Sequence, residues 1–185
     1  MPETTTETAK KPAAKPRRSA KSRAVEKVAR SFFDAMGSHD PERMLELWDD
    51  DGVEEVLPAG SVFRGKQEIG AFLRALLGSS SDLEVTVDRV VADDSRAVVE
   101  WRFRGTFDGS FQGLEPTGKA LDLRGVDILE IEDGRVKRLT AYYDASTFAR
   151  QVGMLPAQDS GAEKAMKSAF NTVTKLRKAI DERRG

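Results

Sequence analysis

Hydrophobic and polar positions alternate most regularly between residues 120 and 143. Two alternating segments, 120–131 and 135–143, flank the tripeptide Glu132-Asp133-Gly134. Asp-Gly between two such segments is a strong signal for a β-hairpin. The pattern therefore predicts two paired strands, followed after Asp144 by a short helix that ends at Gly153.

The register of this hairpin decides which face Asp127 occupies, because a slip of one residue moves every side chain to the other face. A two-residue turn at Asp133-Gly134 would place Asp127 on the face of Tyr142. A three-residue turn with glycine as a bulge would place it on the face of Tyr143. Burial favours the bulged register, which gathers apolar side chains on one face: Leu121, Leu123, Leu129, Ile131, Leu139, Ala141 and Tyr143.

Three helical patterns precede the main strands. Apolar residues recur at helical spacing from Ala24 to Met36. Asp40-Pro41 is a typical helix start and predicts a short helix that buries Trp48 and ends in an exposed acidic turn at 49–52. A third helix is predicted after Gly65.

Residues 53–63 indicate a short strand and loop, and 83–91 and 96–107 indicate two longer strands. Helices followed by a mostly antiparallel sheet are typical of the α+β class.

The composition divides the chain into three parts. Residues 1–22 have almost no large apolar residues, which predicts a disordered basic tail. Residues 23–157 form the predicted domain. Residues 158–185 carry an apolar stripe at helical spacing among lysines and arginines, which predicts an amphipathic basic helix. Its stripe could dock on a partner, lie on an anionic membrane, or cover its own domain or a second copy.

The charge is distributed unevenly along the chain. Residues 1–23 carry seven basic and two acidic residues, and residues 158–185 carry seven and four. Because the formal net charge of the whole chain is -1, and these ends contribute +5 and +3, the middle carries -9. The basic ends are expected to contact an acidic partner or, weakly, nucleic acid through charge alone.

Several classes of site are disfavoured by what the sequence lacks. Cysteine is absent, which argues against disulfides and thiolate chemistry and fits a cytoplasmic location. His39 is the single histidine, so a zinc site is not expected. No apolar run is long enough for a transmembrane segment, and we expect no cofactor.

Four short motifs carry a resemblance to a known family. They are Pro116-Thr117-Gly118-Lys119, Arg124-Gly125-Val126-Asp127-Ile128, Asp133-Gly134-Arg135-Val136 and Gln151-Val152-Gly153. With the order of elements, they make residues 25–156 resemble the SnoaL-like polyketide cyclase group of the ketosteroid-isomerase-like, or nuclear transport factor 2-like, superfamily. The resemblance implies a cone-shaped α+β barrel, in which a curved sheet wraps around N-terminal helices and encloses an apolar pocket. A homodimer is expected.

The resemblance also implies where catalytic groups would lie. Cyclases of this group use a carboxylate on the last strand, a position that falls here on Ala141, with Asp144 as the nearest acid. A polar partner on the preceding strand falls on Asp127. In ketosteroid isomerases, a helix tyrosine corresponds here to Phe32 and the base to a position near Leu57, so isomerase chemistry of that kind is disfavoured.

Each candidate residue has two interpretations. Asp127 is either a general acid/base, with a pKa raised by its apolar neighbours, or a structural carboxylate bonded to the backbone. Asp144 is a displaced acid or the N-cap of the following helix, and capping is favoured. Tyr143 either donates a hydrogen bond to a ligand or packs with its hydroxyl at the rim. Trp101 packs in the core and is a candidate wall of the pocket.

Two classes of function remain open from the sequence. The first is a metal-free enzyme that cyclises or isomerises a polyketide- or steroid-like carbonyl compound, with Asp127 and Asp144 as catalytic candidates. Its small apolar ligand would contact Tyr143, Trp101, Phe32 and Leu57. The alternative is a non-catalytic ligand-binding or protein-interaction module localised by its basic tails.

Overall fold

A computed structural model describes residues 18–183 of the chain. Helices and strands form a mixed α+β arrangement, as predicted. The elements are α1 (Ala20–Gly37), α2 (Pro41–Glu46), β1 (Trp48–Val56), a 3-10 turn (Leu57–Ala59), β2 (Ser61–Arg64), α3 (Gly65–Gly78), β3 (Glu84–Ala92), β4 (Arg96–Phe107), β5 (Lys119–Glu132), β6 (Arg135–Tyr143), α4 (Ala145–Val152) and α5 (Gly161–Glu182).

The six strands form one curved, open sheet in the order β2-β1-β6-β5-β4-β3. Every neighbouring pair is antiparallel except β1 and β6, which are parallel. The pairing of β1 with β6 brings the beginning of the domain next to its end. Helices α1 and α3 pack against the sheet, and the apolar core lies between them and it.

Helix α1 begins earlier than predicted. Ser19 caps it by accepting a hydrogen bond from the Ser22 amide at 2.8 Å. The buried hydroxyl of Ser22 donates to the Ala92 carbonyl of β3 at 2.9 Å. The predicted disordered tail of residues 1–22 therefore ends too late, and its first 17 residues lie outside the described part of the chain.

The acidic segment at 49–52 belongs to β1 and does not end a helix. Helix α2 stops at Glu46, and Trp48 pairs with Val136 as the first residue of the strand. The strand register shifts between Trp48 and Val53, so the intervening acids bulge out of the ladder. The helical prediction failed because buried Trp48 fits the apolar face of either a helix or a strand.

The hairpin of β5 and β6 has the predicted faces but a different turn. Glu132 pairs with Arg135, so Asp133-Gly134 forms a two-residue turn. Both turn residues have positive φ, 49° and 76°, as a type I′ turn requires. The extra residue lies further along, where the register shifts between Glu130 and Ile131. This bulge restores the predicted face of Asp127, which it shares with Leu139, Ala141 and Tyr143, and it pairs Asp127 with Ala141.

Helix α5 extends from the domain with its apolar side exposed. Its first turn is held by buried Glu163, which accepts hydrogen bonds from the Asp159 amide at 2.9 Å and from the Arg150 guanidinium of α4 at 3.0 Å. Phe170 is 70% exposed and Leu176 is 61% exposed. The stripe therefore does not cover its own domain. Within residues 18–183, no helix is long and apolar enough to cross a membrane.

Candidate functional site

An apolar cavity of about 90 Å³ lies between the inner face of the sheet and helices α1, α3 and α4. Eighteen side chains line it, and seven of them are aromatic. Its polar lining residues are Glu54, Ser79, Ser80, Asp127 and Tyr143. A concave, mostly apolar site with a few convergent polar groups is the usual form of a small-molecule pocket.

Asp127 is the most distinctive of these polar residues. It lies on β5 opposite Ala141 and is only 5% exposed. The Trp101 indole N–H donates a hydrogen bond to its Oδ1 at 2.9 Å. Burial raises the pKa of Asp127 to about 7, and the Trp101 hydrogen bond partly opposes this rise because it stabilises the charged form. Asp127 is thus a carboxyl group poised to exchange a proton near neutral pH.

Gly125 makes the contact between Trp101 and Asp127 possible. It pairs directly with Trp101 across β4 and β5. A Cβ atom at Gly125 would lie 2.2 Å from Cζ2 of the indole ring and 2.5 Å from the carbonyl oxygen of Tyr142. The indole therefore occupies the space that a side chain at 125 would fill, and its N–H reaches Asp127 from there. The glycine of the Arg124–Ile128 motif thus has a packing role at the site.

Glu54 is a second buried carboxyl group in the same cavity, and the sequence analysis did not single it out. It lies on β1 opposite Leu139 of β6, and it is 4% exposed. Its Oε2 has no hydrogen-bond partner among the described residues. Burial and, to a smaller extent, the charge of Asp127 raise the pKa of Glu54 well above its ordinary value. Glu54 therefore holds its proton to a higher pH than an ordinary glutamate does.

Strand β6 lies between the two carboxyl-bearing strands and contributes a small side chain there. Ala141, which pairs with both Val56 and Asp127, lines the cavity. At the predicted position of the last-strand carboxylate there is therefore only a methyl group, and the strands on both sides carry an acid. The site holds two carboxyl groups, but they come from β1 and β5.

Tyr143 and Asp144 follow each other in sequence but lie in different environments. Tyr143 lines the cavity, and burial raises the pKa of its hydroxyl. Asp144 is exposed and caps α4, accepting hydrogen bonds from the Ser146 amide at 2.8 Å and the Thr147 amide at 3.2 Å. These bonds, with those from the two hydroxyls, hold the pKa of Asp144 far below its usual range. Asp144 is outside the cavity lining and matches the capping interpretation.

The other two predicted contact residues are also separated by the fold. Phe32 is fully buried on α1 and lines the cavity. Leu57 is 42% exposed and does not line it, so its expected place in the pocket is wrong. The strand ends at Val56, and the 3-10 turn carries Leu57 away from the inner face. Glu54, three residues earlier, occupies the inward position instead.

Among residues 18–183, no group of three or more acidic, histidine or cysteine residues is arranged to hold a metal ion. Asp127 and Glu54 are the ionisable carboxyl groups of the cavity, and its lining includes no lysine, arginine or histidine of the described chain. The arrangement can hold a small hydrophobic ligand and exchange protons with it.

Comparison with known proteins identifies the family of this domain. The SnoaL-like domain matches residues 29–139, well over half of the chain. The chain belongs to the SnoaL-like domain family. The matched region contains Glu54, Trp101 and Asp127, so both carboxyl groups of the cavity lie within the family domain. No curated protein matches the chain.

Several solved structures share the fold of this SnoaL-like protein. A candidate SnoaL-like polyketide cyclase from Jannaschia sp. CCS1 is 21% identical, with a TM-score of 0.70 over 77% of this chain and 100% of its own. AclR, a candidate hydroxylase from Streptomyces galilaeus, is 19% identical, with a TM-score of 0.65 over 89% and 98%. TsrD from Streptomyces laurentii is 26% identical, with a TM-score of 0.63 over 72% and 97%. These likenesses confirm the predicted cone-shaped α+β fold.

Proposed function

We propose that this SnoaL-like protein is a cofactor-independent enzyme that moves a proton on a hydrophobic carbonyl compound, leading to its isomerisation or cyclisation. The observation that carries the proposal is the buried Asp127 carboxyl group, hydrogen-bonded to Trp101 in an apolar cavity, with a pKa near 7. A general base works best when its pKa lies close to the working pH. A carboxylate with an ordinary pKa would be a weaker base.

The two carboxyl groups divide the acid and base roles. Asp127, ionised in a large fraction of molecules at pH 7, takes the proton from the carbon next to the substrate carbonyl. Glu54, whose pKa is raised by burial, takes the role of the protonated partner and donates a hydrogen bond to the carbonyl oxygen as negative charge develops there. The assignment follows the charge of Asp127, which after burial is the smaller cause of the raised pKa of Glu54 and favours the protonated form of Glu54 while Asp127 is ionised.

The protons balance in this scheme. The C–H electrons move into a new carbon–carbon double bond and the carbonyl π electrons move to oxygen, giving an enolate held by Glu54. In the isomerisation of a β,γ-unsaturated carbonyl compound the enolate is a dienolate, and protonated Asp127 returns its proton to the γ-carbon as the carbonyl group re-forms. In a cyclisation, the enolate carbon attacks a second carbonyl group of the same substrate, and protonated Asp127 supplies the proton to the new alkoxide.

The fold neighbours support this proposal only at the level of the scaffold. The Jannaschia protein is named for polyketide cyclisation and AclR for hydroxylation. Both are less than 25% identical to this chain, so their reactions do not transfer to it.

A non-catalytic ligand-binding module is the second candidate, because Ala141 stands where the last-strand carboxylate of cyclases is expected. In that case apolar compounds would bind in the cavity without being converted. Turnover and binding measurements on the same purified proteins distinguish the two functions.

The experiment measures turnover of a panel of aromatic polyketide esters and enones by the intact protein and three variants. Asp127→Asn is expected to lower kcat by roughly 2–4 orders of magnitude, because it removes the base. Glu54→Gln is expected to lower kcat by about 10²-fold, because a neutral acid donor becomes a weaker amide donor. Asp144→Asn is the matched control outside the cavity and is expected to retain activity.

Loss of activity in Asp144→Asn together with retention in Asp127→Asn would overturn the assignment. Binding of several panel compounds with no conversion of any would establish the binding module instead. Circular dichroism of each variant separates a lost catalytic group from a lost fold.

A further inference from the structure

The cavity holds two acidic groups and no basic side chain of residues 18–183. Buried carboxyl groups in proteins are normally paired with cations or fully hydrogen-bonded. Asp127 has one side-chain hydrogen bond, from Trp101, and Oε2 of Glu54 has none. Both residues are less than one-tenth exposed and line the cavity. Glu54, with its unpartnered Oε2, therefore lines a cavity that a ligand can fill.

Seven of the other sixteen residues that line the cavity are aromatic. Rings of Phe32, Trp101, Phe103, Tyr143 and Phe148 line the same space as the two acids. Trp101 stacks on Phe103 with ring centroids 4.0 Å apart, and Tyr143 meets Phe148 edge to face at 6.3 Å. Aromatic faces attract cations through the ring quadrupole, and aromatic walls are a common setting for alkylated ammonium groups.

We propose that this cavity binds hydrophobic organic cations, with a tertiary ammonium group between Glu54 and Asp127 and its alkyl groups against the aromatic walls. The ammonium N–H would donate to the unpartnered Oε2 of Glu54 or to Asp127. Its positive charge would compensate the two acids, which otherwise disfavour each other's ionisation across β6. The inference concerns binding and holds whether or not the pocket is catalytic.

A tertiary ammonium fits these walls better than other cations. A primary ammonium has three N–H donors and is strongly hydrated, whereas the lining offers few acceptors. A divalent metal ion would need six or more oxygen ligands for calcium, or an octahedral set for magnesium. Alkyl groups on the nitrogen weaken the hydration of the ammonium group, so less is lost when the cation enters the cavity. They also add apolar surface that is buried on binding.

The pH dependence of binding follows from the groups that line the cavity. Three of these are titratable: Glu54 on β1, Asp127 on β5 and Tyr143 on β6. Asp127 is the one whose charge changes near pH 7, while the pKa of Tyr143 lies above its ordinary value of 10.0. Aliphatic tertiary amines remain protonated well above pH 7. The affinity for the cation therefore rises with pH as Asp127 ionises.

The test measures binding of N,N-dimethylbenzylamine by titration calorimetry at pH 5.5 and pH 8. Isobutylbenzene is the neutral isostere, since a carbon replaces the charged nitrogen. The amine is expected to bind roughly 10- to 30-fold more tightly at pH 8, in proportion to the ionised fraction of Asp127. The isostere is expected to show no pH dependence. Titrations in two buffers of different ionisation enthalpy should show proton release when the amine binds.

Three variants locate the effect. Asp127→Asn is expected to abolish the pH dependence, and Glu54→Gln to weaken amine binding without changing the affinity for the isostere. Asp144→Asn is the control outside the cavity and should behave as the unmodified protein does. Benzyltrimethylammonium, which lacks the N–H, is expected to bind more weakly than the tertiary amine.

Equal affinity for the amine and the isostere at pH 8 would overturn the inference. So would failure of the amine to bind at millimolar concentration, or unchanged pH dependence in Asp127→Asn. These outcomes are independent of the proposed reaction, because loss of amine binding leaves the turnover assay of neutral carbonyl compounds unaffected.

Discussion

At the scale of single residues, Asp127 destabilises the fold that contains it. The pKa of Asp127 is about 7 in the folded protein against 3.8 for an ordinary aspartate. Between these values the folded state binds more protons than the unfolded state, so the free energy of unfolding falls as pH rises. The full difference corresponds to roughly 4 kcal/mol, most of it lost between about pH 4 and pH 7.

Replacing Asp127 with asparagine should remove this pH dependence. We expect the free energy of unfolding of the unmodified protein to fall from pH 5 to pH 8, while that of Asp127→Asn changes much less. Urea unfolding at each pH measures both. Glu54 contributes in the same direction, so the variant should retain some slope at higher pH. A steeper slope in the variant would contradict the burial of this group.

The indole of Trp101 should control how acidic Asp127 is. Its N–H stabilises the charged carboxylate, so Trp101→Phe is expected to raise the pKa of Asp127 above about 7. Carboxyl carbon chemical shifts, followed by NMR during a pH titration, measure this pKa. Trp48→Phe is the matched control, because Trp48 is also buried but its indole nitrogen has no partner among residues 18–183. An unchanged pKa in Trp101→Phe would show that the hydrogen bond does not tune the site.

Asp127 could be found from the sequence because it stands in a long alternating strand, where the apolar row fixes its face. Glu54 could not be found in this way. Val53 and Val56 flank it on opposite faces of a short strand, so the pattern does not choose which face is buried. The choice is made by the parallel pairing of β1 with β6, a contact between distant parts of the chain that local alternation does not encode.

At the scale of elements, the β5–β6 hairpin shows how one face can be predicted through the wrong turn. Burial of apolar residues determined the face of Asp127, which it shares with Ala141, and that face was predicted correctly. The position of the compensating bulge was predicted wrongly, because a bulge inside the turn and one just beyond it place the side chains on the same faces. The side-chain pattern therefore shows which face each residue occupies, and it does not show which residues pair or where the extra residue lies.

The same hairpin gives a prediction about close packing. Gly125→Ala should lower stability by more than about 1 kcal/mol, because the new methyl group overlaps Trp101 and the Tyr142 carbonyl. It should also displace the indole from Asp127. Thermal unfolding measures the first effect, and the NMR titration of Asp127 measures the second.

Gly161→Ala is the control for this substitution. Its added Cβ meets no atom within 4 Å, and Gly161 is the first residue of helix α5, where alanine is favoured. We expect it to be neutral or slightly stabilising. Equal effects of the two substitutions would show that the space beside Gly125 is not filled by Trp101.

At the scale of the whole molecule, helix α5 is attached to the domain by its first turn and otherwise stands free of it. Leu176→Ala should therefore change the free energy of unfolding by less than about 0.5 kcal/mol. Leu129→Ala, at a fully buried position, should cost about 2–5 kcal/mol. Urea unfolding of both variants makes the comparison. A large loss in Leu176→Ala that depends on protein concentration would show that a second copy covers the stripe.

The parallel pairing of β1 with β6 has a consequence for the order of events during folding. During synthesis, Glu54 leaves the ribosome long before β6 does, and no neighbour on β6 exists for its strand until then. Contacts between such distant segments form late, because closing the long loop between them costs conformational entropy before the contacts can stabilise the chain. We expect the nascent chain to keep both acids hydrated until the last strand inserts. The desolvation free energy of Glu54 and Asp127 then opposes only one late step of folding. By that step the rest of the sheet has formed.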